Sequence, residues 1–451
     1  NEVGPAGHMK WPDGRQYRGR FISGQKHGEG HLVWPDGRSY AGQWSYDKQH
    51  GYGFVSEKRG RLQLSQWDDG VLARWLPDAS LAELAPDERC RAALCSGTVK
   101  LLSATWLVDQ PNGFVIACGH DLPQDAFISP ELAESLLEKR YGIVVVSYPW
   151  LTKSHPDPTG FHARTLINYL GKHLEFFDGF DDVGVFWDYA SLHRSGTHRE
   201  PRSEDEQQLR RIGLRSLGFL YGGKKSLVAK LTRTPESEAG RHPYSSRGWC
   251  FAEATLGGLT KDSDQLLDLG LAAKAVDDRR VGWEELRDAA FSARPAPMSP
   301  EDMALALESL AFSNGDDREL VLDLYTTFFK EVAPALMVLA LAHSRMEGGW
   351  GDTEVKLLCR ALPSFVSCKA LSLANHAHMS KASLKDLRAR LQALPKLQRL
   401  VLPHHLMESK EALALINEWS SSGKNPANLL WLRTVERRVG RADAAGQGEA
   451  A

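Results

Sequence analysis

"WPDGRQYRGRF" opens at Trp11, and "WPDGRSYAGQW" opens at Trp34, 23 residues further on. The matched positions run beyond the quoted stretches: Trp11/Trp34, Asp13/Asp36, Gly14/Gly37, Tyr17/Tyr40, Gly19/Gly42, His27/His50, Gly28/Gly51 and Gly30/Gly53. Eight coincidences at one offset make an internal repeat. Pro-Asp-Gly is turn chemistry, because proline presets φ and glycine takes the positive-φ position. The flanking aromatic residues then pack from one hairpin to the next, since a lone hairpin buries too little surface to stand by itself. "GQKHGEG" and "KQHGYG" read as the opposite turns. A third copy decays: Gly60 and Trp67 keep the register, whereas Gln63 and Ser65 replace the Tyr and Gly.

Over residues 7–70 this pattern resembles the MORN repeat. The resemblance implies an elongated β platform for protein contacts and, in some such proteins, lipid contact. Asp13, Glu29, Asp36 and Asp47 dilute the basic residues, so contact with anionic lipid ranks below contact with protein. A structural cap on the neighbouring domain is the plainer alternative.

A second periodicity lies near the other end. Leu339-x-Leu341, Leu371-x-Leu373, Leu400-x-Leu402 and Leu430-x-Leu432 recur at intervals of 32, 29 and 30. Asn375 and His404 each follow their Leu-x-Leu pair by two residues. Between the short strands lie helical stretches such as "SLKDLRARLQALPKL", apolar at Leu384, Leu387, Leu391 and Leu394. A strand plus a helix at about thirty residues resembles the long, ribonuclease-inhibitor-like class of leucine-rich repeat. The resemblance implies a second surface for protein contact. His376/His378 and His404/His405 lack the carboxylate or cysteine that would complete a metal set, and they read as exposed loop histidines.

Between the repeats the pattern alternates. "YGIVVVSYPW" and "VGVFWDYASL" are short apolar runs of buried-strand type, and "SLVAKLT" reads as a third. Helical periodicity fills the gaps: Leu166, Leu170 and Leu174 in one stretch, and the acidic-start "EDEQQLRRIGLRSLGFLYG" in another. "SSRGWCFAEATL", Ser245 to Leu256, reads as a helix after the third strand. This order implies a parallel sheet covered on both faces, with ligands taken at the carboxyl ends of its strands. Ser147, Tyr148, Trp150, Asp188 and Tyr189 then share one rim, and the helix carrying Trp249 and Glu253 reaches it.

"VVVSYPWLT", "FWDYASLHR", the long acidic-start helix and "SRGWCFAE" resemble, in that order, the blocks of the heterokaryon-incompatibility (HET) domain over residues 139–262. The last block is also similar to the "S-x-W-C-x-x-E-L" of TIR domains. "SLHR" stands where HET domains have "C-I-N-Q", and Ala254 where TIR domains have Leu. The resemblance implies two functions. One is assembly-based signalling without activity. The other is NAD cleavage, with Glu253 acting at the nicotinamide ribose, Asp188 and Ser147 within reach, and Tyr148, Trp150, Tyr189 and Trp249 as the ring-binding wall. A carboxylate suits that chemistry because glycosidic cleavage passes through an oxocarbenium-like state. Pairing of Glu253 with Arg247 or Arg164 is the structural alternative.

The chain has 451 residues, too many for one hydrophobic core, and 25% are charged with a formal net charge of -2. Steering to nucleic acid is not expected at that balance. Cys90, Cys95, Cys118, Cys250, Cys359 and Cys368 are scattered, with no CxxC pair and no zinc-ligand spacing, so buried free thiols and a cytoplasmic setting are expected and no metal is. The chain opens on Asn1, so its terminus need not be native, and the cysteines are what argue against secretion. No apolar run reaches the ~18 residues a bilayer span needs. There is no GxxxxGK[ST] or strand-linked GxGxxG phosphate loop.

The expected fold class is multidomain: a β-hairpin repeat stack, a parallel-sheet α/β (TIR/HET-like) domain, a helical connector and a short α/β leucine-rich-type solenoid. Residues 1–76 are the hairpin stack. Residues 77–138 are a connecting segment, with β-like "TVKLLSATWLVD" and "GFVIACGH" joined by a hairpin turn at Pro111-Asn112-Gly113. The α/β domain takes 139–262, a helical connector with Ser299 as a helix cap 263–330, the leucine-rich array 331–436, and a disordered tail 437–451. Arg194, Arg199 and Arg202 lie in a polar loop that reads as solvated or as a phosphate-binding arm. The reading favoured is a signalling adaptor that binds proteins through residues 7–70 and 331–436 and self-assembles as a homo-oligomer. An NAD glycohydrolase and a structural component of a large assembly or membrane skeleton stand as alternatives. No cofactor is called for, and NAD enters only as a substrate.

Overall fold

The N-terminal repeat folds as a seven-stranded antiparallel sheet in chain order: β1 (Gly4–Lys10), β2 (Gln16–Ile22), β3 (Gln25–Val33), β4 (Ser39–Ser45), β5 (Lys48–Ser56), β6 (Leu62–Asp68) and β7 (Val71–Trp75). This computed structural model describes residues 4–56, 62–75, 86–192, 204–236, 243–312, 317–343 and 348–432. The two Pro-Asp-Gly turns are copies. The Gly14 and Gly37 amides each donate to a Trp carbonyl at 3.0 Å, and Asp13 and Asp36 accept from the arginine amide two residues on. The opposite turns fall at Ser23-Gly24 and Tyr46-Asp47, where both residues of each pair have positive φ, as type I′ hairpins require. "GQKHGEG" therefore gives only its Gly24 to a turn, and "KQHGYG" gives none. The rest runs along β3 and β5, and Gly28 and Gly51 take positive φ within the strands.

One face of this sheet rests on α1 (Pro86–Cys95): Ala41, Tyr52, Phe54 and Leu64 meet Ala92 and Cys95. Arginine and glutamate fix the neighbouring helix ends, with Arg74 on Glu88 at 2.7 Å and Arg91 on Glu138 at 2.6 Å.

A five-stranded sheet follows, in the order β12-β11-β9-β10-β8. Its strands and helices are β8 (Leu102–Ser103), α2 (Ala104–Val108), α3 (Pro130–Glu138), β9 (Ile143–Ser147), α4 (Phe161–Phe176), β10 (Gly184–Phe186), α5 (Asp188–Ser191), α6 (Glu204–Gly222), β11 (Leu227–Lys230), α7 (Gly248–Thr260) and β12 (Leu266–Asp268). β9 to β12 are mutually parallel, and the short β8 is antiparallel at the edge. The chain leaves β9 for β10 on one side and then crosses to β11 on the other, so the strand order reverses between β9 and β11. Every residue of β9 is buried, because helices cover both faces.

Two expectations change here. The span 263–330 is not purely helical, since Leu266–Asp268 pairs with β11 and extends the sheet beyond residue 262. Residues 102–120 hold no hairpin. The turn at Gly113 exists, with the Phe114 amide on Pro111 O at 3.0 Å, but "ATWLV" is a helix. Ser103 caps it by accepting from the Trp106 amide at 2.9 Å, and Asp182 accepts from Ser103 Oγ and the Thr105 amide, so the local backbone is satisfied without a strand partner. Beyond β12 come α8 (Ala273–Asp277), α9 (Trp283–Ala289), α10 (Pro300–Glu308) and α11 (Asp317–Val332). Ser299 caps α10 through the Asp302 amide at 3.2 Å.

The contacts divide the chain between Glu331 and Val332. The second unit is a four-stranded parallel sheet, β13 (Val338–Ala340), β14 (Ala370–Ser372), β15 (Arg399–Pro403) and β16 (Leu429–Leu432), with α12 (Asp352–Ala361), α13 (Lys381–Arg390) and α14 (Lys410–Ser421) between successive strands. Leu339, Leu371, Leu400 and Leu429 stand in one register row, so the last strand aligns one residue earlier than the Leu430 spacing suggests. Asn375, at φ 62°, reaches back to His343 O from Nδ2 at 3.1 Å. His376 is not an exposed loop residue: it is 1% exposed and stacks on Trp350 with centroids 4.7 Å apart. His378, His404 and His405 are exposed. The arginine-bearing loop at 193–203 and the tail at 437–451 lie outside the described residues.

Candidate functional site

The carboxyl end of β9 carries the one polar side chain of that strand, Ser147, and strand alternation decides where it points. Val144, Val146 and Tyr148 enter the core with Leu166, Tyr169 and Leu170 of α4. Ser147 faces the other way, towards α7. Its Oγ lies 2.5 Å from Glu253 Oε2 and 2.6 Å from the Tyr244 hydroxyl. The Tyr221 hydroxyl, near Glu253, donates to Val146 O at 2.9 Å.

Ser147 donates to Glu253, so Tyr244 donates to Ser147. The surroundings favour the neutral acid at Glu253: desolvation pushes the carboxyl up to about 8, the Ser147 hydrogen bond and Tyr221 oppose the shift, and the negative charge of Asp188 adds to it. Glu253 as a whole keeps partial solvent access, while its Oε2 is held by Ser147. Burial and the charge of Glu253 raise the Tyr221 hydroxyl well above its usual range. Burial, then Cys250 and Glu253, does the same to Tyr244. Neither Arg247 nor Arg164 pairs with Glu253: its hydrogen-bond partner is Ser147, and Arg247 donates to Trp150 O at 3.1 Å.

The other rim residues gather beside this centre. Tyr148 donates to Asp188 Oδ1 at 2.6 Å. The rings of Trp150 and Tyr189 meet edge to face at 5.9 Å, and His155 contacts Tyr189 at 4.9 Å. Asp188, Tyr189 and Trp150 are half-buried. Trp249 is committed elsewhere, its indole N–H donating to Asp317 Oδ2 of α11 at 3.0 Å. Cys250 is buried, with its thiol raised by burial, which makes it a packing residue. Sequence reasoning missed Tyr221 and Tyr244. The first stands at the end of a long amphipathic helix and the second on a short 3-10 turn, and neither position carries a motif. No group of His, Cys, Asp and Glu among the described residues is arranged to hold a metal ion.

The antiparallel sheet offers a different surface. On the face away from α1, Tyr17 lies over Gly30 and Tyr40 over Gly53, with each tyrosine wholly buried. Their hydroxyls donate to Arg20 O at 3.1 Å and Gln43 O at 2.9 Å. Edge-to-face contacts link Tyr17 to Trp44 at 5.5 Å, Trp44 to Tyr40 at 5.2 Å and Tyr40 to Trp67 at 5.8 Å. Lys26 sits over Trp44 at 5.1 Å and pairs with Asp47 at 2.7 Å. Trp11, Phe21, Trp34 and Trp67 are left half-buried around this ladder.

Residues 17–37 and 40–54 match the family model of the MORN repeat. Strands β2 to β5 of this sheet carry MORN repeats. The matched MORN residues run from β2 to β5, where the tyrosine-over-glycine unit occurs twice. In the decayed third MORN copy Ser65 stands opposite Gly53, and its Oγ donates to Gly53 O at 2.7 Å. No curated protein matches the chain significantly.

Proposed function

We propose that the chain is an adaptor that holds a protein partner on its MORN sheet and presents an α/β domain of TIR/HET type for assembly. The observation that supports it is the repeat sheet itself. One face is spent on α1, while the other presents half-buried Trp11, Phe21, Trp34 and Trp67, and Tyr46 and Trp75 stand 49% and 47% exposed. The parallel strand-and-helix unit after Val332, which resembles leucine-rich repeats, adds a second protein-contact surface on this reading. A cytoplasmic setting suits the six free cysteines.

The test is purification of the full chain with a stoichiometric partner, repeated with Tyr46→Ser and Trp75→Ser together. Loss of the partner, with the melting temperature unchanged, supports the reading. Undiminished capture refutes it, and sedimentation with phosphatidylserine vesicles in place of protein would make the sheet a lipid platform.

A second reading is favoured by one feature. Among the described residues Glu253 has no cationic partner, and it meets Ser147 at the end of the central strand, where the strand order reverses. That suits an NAD glycohydrolase in which the ionised carboxylate stabilises the developing oxocarbenium charge. Nicotinamide release by concentrated protein, rising as pH climbs through about 8 and abolished by Glu253→Gln, is the expected result. Release that Glu253→Gln leaves intact would remove Glu253 from any such role.

A further inference from the structure

A pocket of about 110 Å³ opens at the same end of the five-stranded sheet, but on its other face. Leu231 and Leu269, the residues just after β11 and β12, form part of its wall with Val276 of α8 and Phe161 of α4. The first turns of α4 supply His162, Arg164 and Thr165, and Arg233 comes from the segment after β11. The Leu231 amide donates to Ser147 O at 2.8 Å, so the pocket lies next to the end of β9. It sits on the α4 and α8 side of the strands, whereas Ser147 and Glu253 face α7.

We infer that this pocket binds a small organic anion, a carboxylate or phosphate on a compact apolar body. Three observations carry the assignment. The size is on the scale of the roughly 150 Å³ apolar cavities that admit a benzene ring. The Leu231, Leu269, Val276 and Phe161 walls suit an apolar body. The two guanidiniums, both on exposed residues, outnumber the single carboxylate of Asp277. His162 lines the pocket as well; it is 1% exposed, and its Nε2 pairs with Pro149 O at 3.1 Å. The inference does not rest on the adaptor reading, since none of these groups belongs to the repeat sheet.

The test is calorimetric titration of the full chain with benzoate, inorganic phosphate and benzylammonium, repeated with Arg164→Ala/Arg233→Ala and with Glu253→Gln. Benzoate is expected to bind, to weaken at least ~10-fold in the double arginine variant and to be unaffected by Glu253→Gln. Both arginines are exposed, so the double variant should fold, and an unchanged melting temperature checks that it does. Absence of benzoate binding overturns the inference, as does affinity that survives loss of both arginines. Benzylammonium binding as tightly as benzoate would overturn the anion preference, and phosphate binding as tightly would overturn the apolar body.

Discussion

In β2 to β5 a buried tyrosine lies over a glycine of the next strand, and the arrangement occurs twice, at Tyr17 over Gly30 and Tyr40 over Gly53. In β9 four apolar residues are buried between helices, and the strand ends on a single serine that belongs to a chain of hydrogen bonds. The first sheet is specified by shape, because a tyrosine ring fills the space that a side chain would need. The second is specified by hydrogen bonding at its end, where Tyr244, Ser147 and Glu253 meet. Damage to the first should therefore act through steric overlap, and damage to the second through unsatisfied groups and charge.

The steric side gives the largest expected effect. A Cβ added at Gly53 would stand 2.4 Å from the Tyr40 ring, which is wholly buried and has nowhere to swing. Gly53→Ala should cost about 3 kcal/mol or more, read as a shift of the denaturant midpoint. A loss below about 1 kcal/mol would mean that the tyrosine-over-glycine unit is not what holds the repeat sheet together.

The polar side gives the next. Lys261 is wholly buried, and its ammonium donates to Gly223 O, to Ser226 O at 2.6 Å and to Ser226 Oγ at 2.8 Å, using all three protons at the end of α6. Burial pushes it down to about 7. Lys261→Met keeps the volume and orphans those acceptors, so a loss of roughly 2–4 kcal/mol is expected near neutral pH. An unchanged midpoint would show that these carbonyls find water instead.

Glu253→Gln should be smaller and should depend on pH. Gln can accept from Ser147 as the neutral acid does. The folded carboxyl titrates near 8 against an unperturbed value of 4.5, so its contribution is full below 4.5 and is lost as pH rises through 8. His162 and His173, held neutral by burial at about 4, have the opposite sign between 4 and 6.5. Subtracting the variant's stability curve from the wild type's isolates Glu253. The difference should move by about 2 kcal/mol or more in favour of the variant between pH 5 and pH 8. A flat difference would refute the neutral-acid arrangement.

The same contrast explains what could be read from the sequence. The tyrosine and glycine pairs were legible because each has a copy 23 residues away, and the copies check one another. The type I′ turns were not, because Ser23-Gly24 and Tyr46-Asp47 share φ signs but no residue types. β9 and α4 were legible as a buried run and an apolar stripe. β12 was not, since three residues are too few to show a period. At the polar centre, Ser147, Asp188 and Glu253 could be named from strand ends and from a family resemblance. Tyr221 and Tyr244 could not, because their roles depend on a fold that brings residues 147, 221, 244 and 253 together. His376 looked exposed because nothing local shows that Trp350 will lie on it.

A second glycine sharpens the comparison at its small end. Gly171 lies inside α4, with ordinary helical neighbours and nothing within 4 Å of an added Cβ. Glycine in a helix interior costs roughly 0.5–1 kcal/mol against alanine, because it leaves more backbone freedom to the unfolded chain. Gly171→Ala should therefore stabilise the protein by about that amount, opposite in sign to Gly53→Ala. Had glycine been required at 171 for close approach, as at 53, the substitution would destabilise, and thermal melts of the two variants side by side decide it. If both destabilise, α4 is packed more tightly than its open surroundings indicate, and the pocket at its first turns would be narrower than the lining residues suggest. If the signs differ, glycine is a steric requirement in the repeat sheet and an unused freedom in the helix.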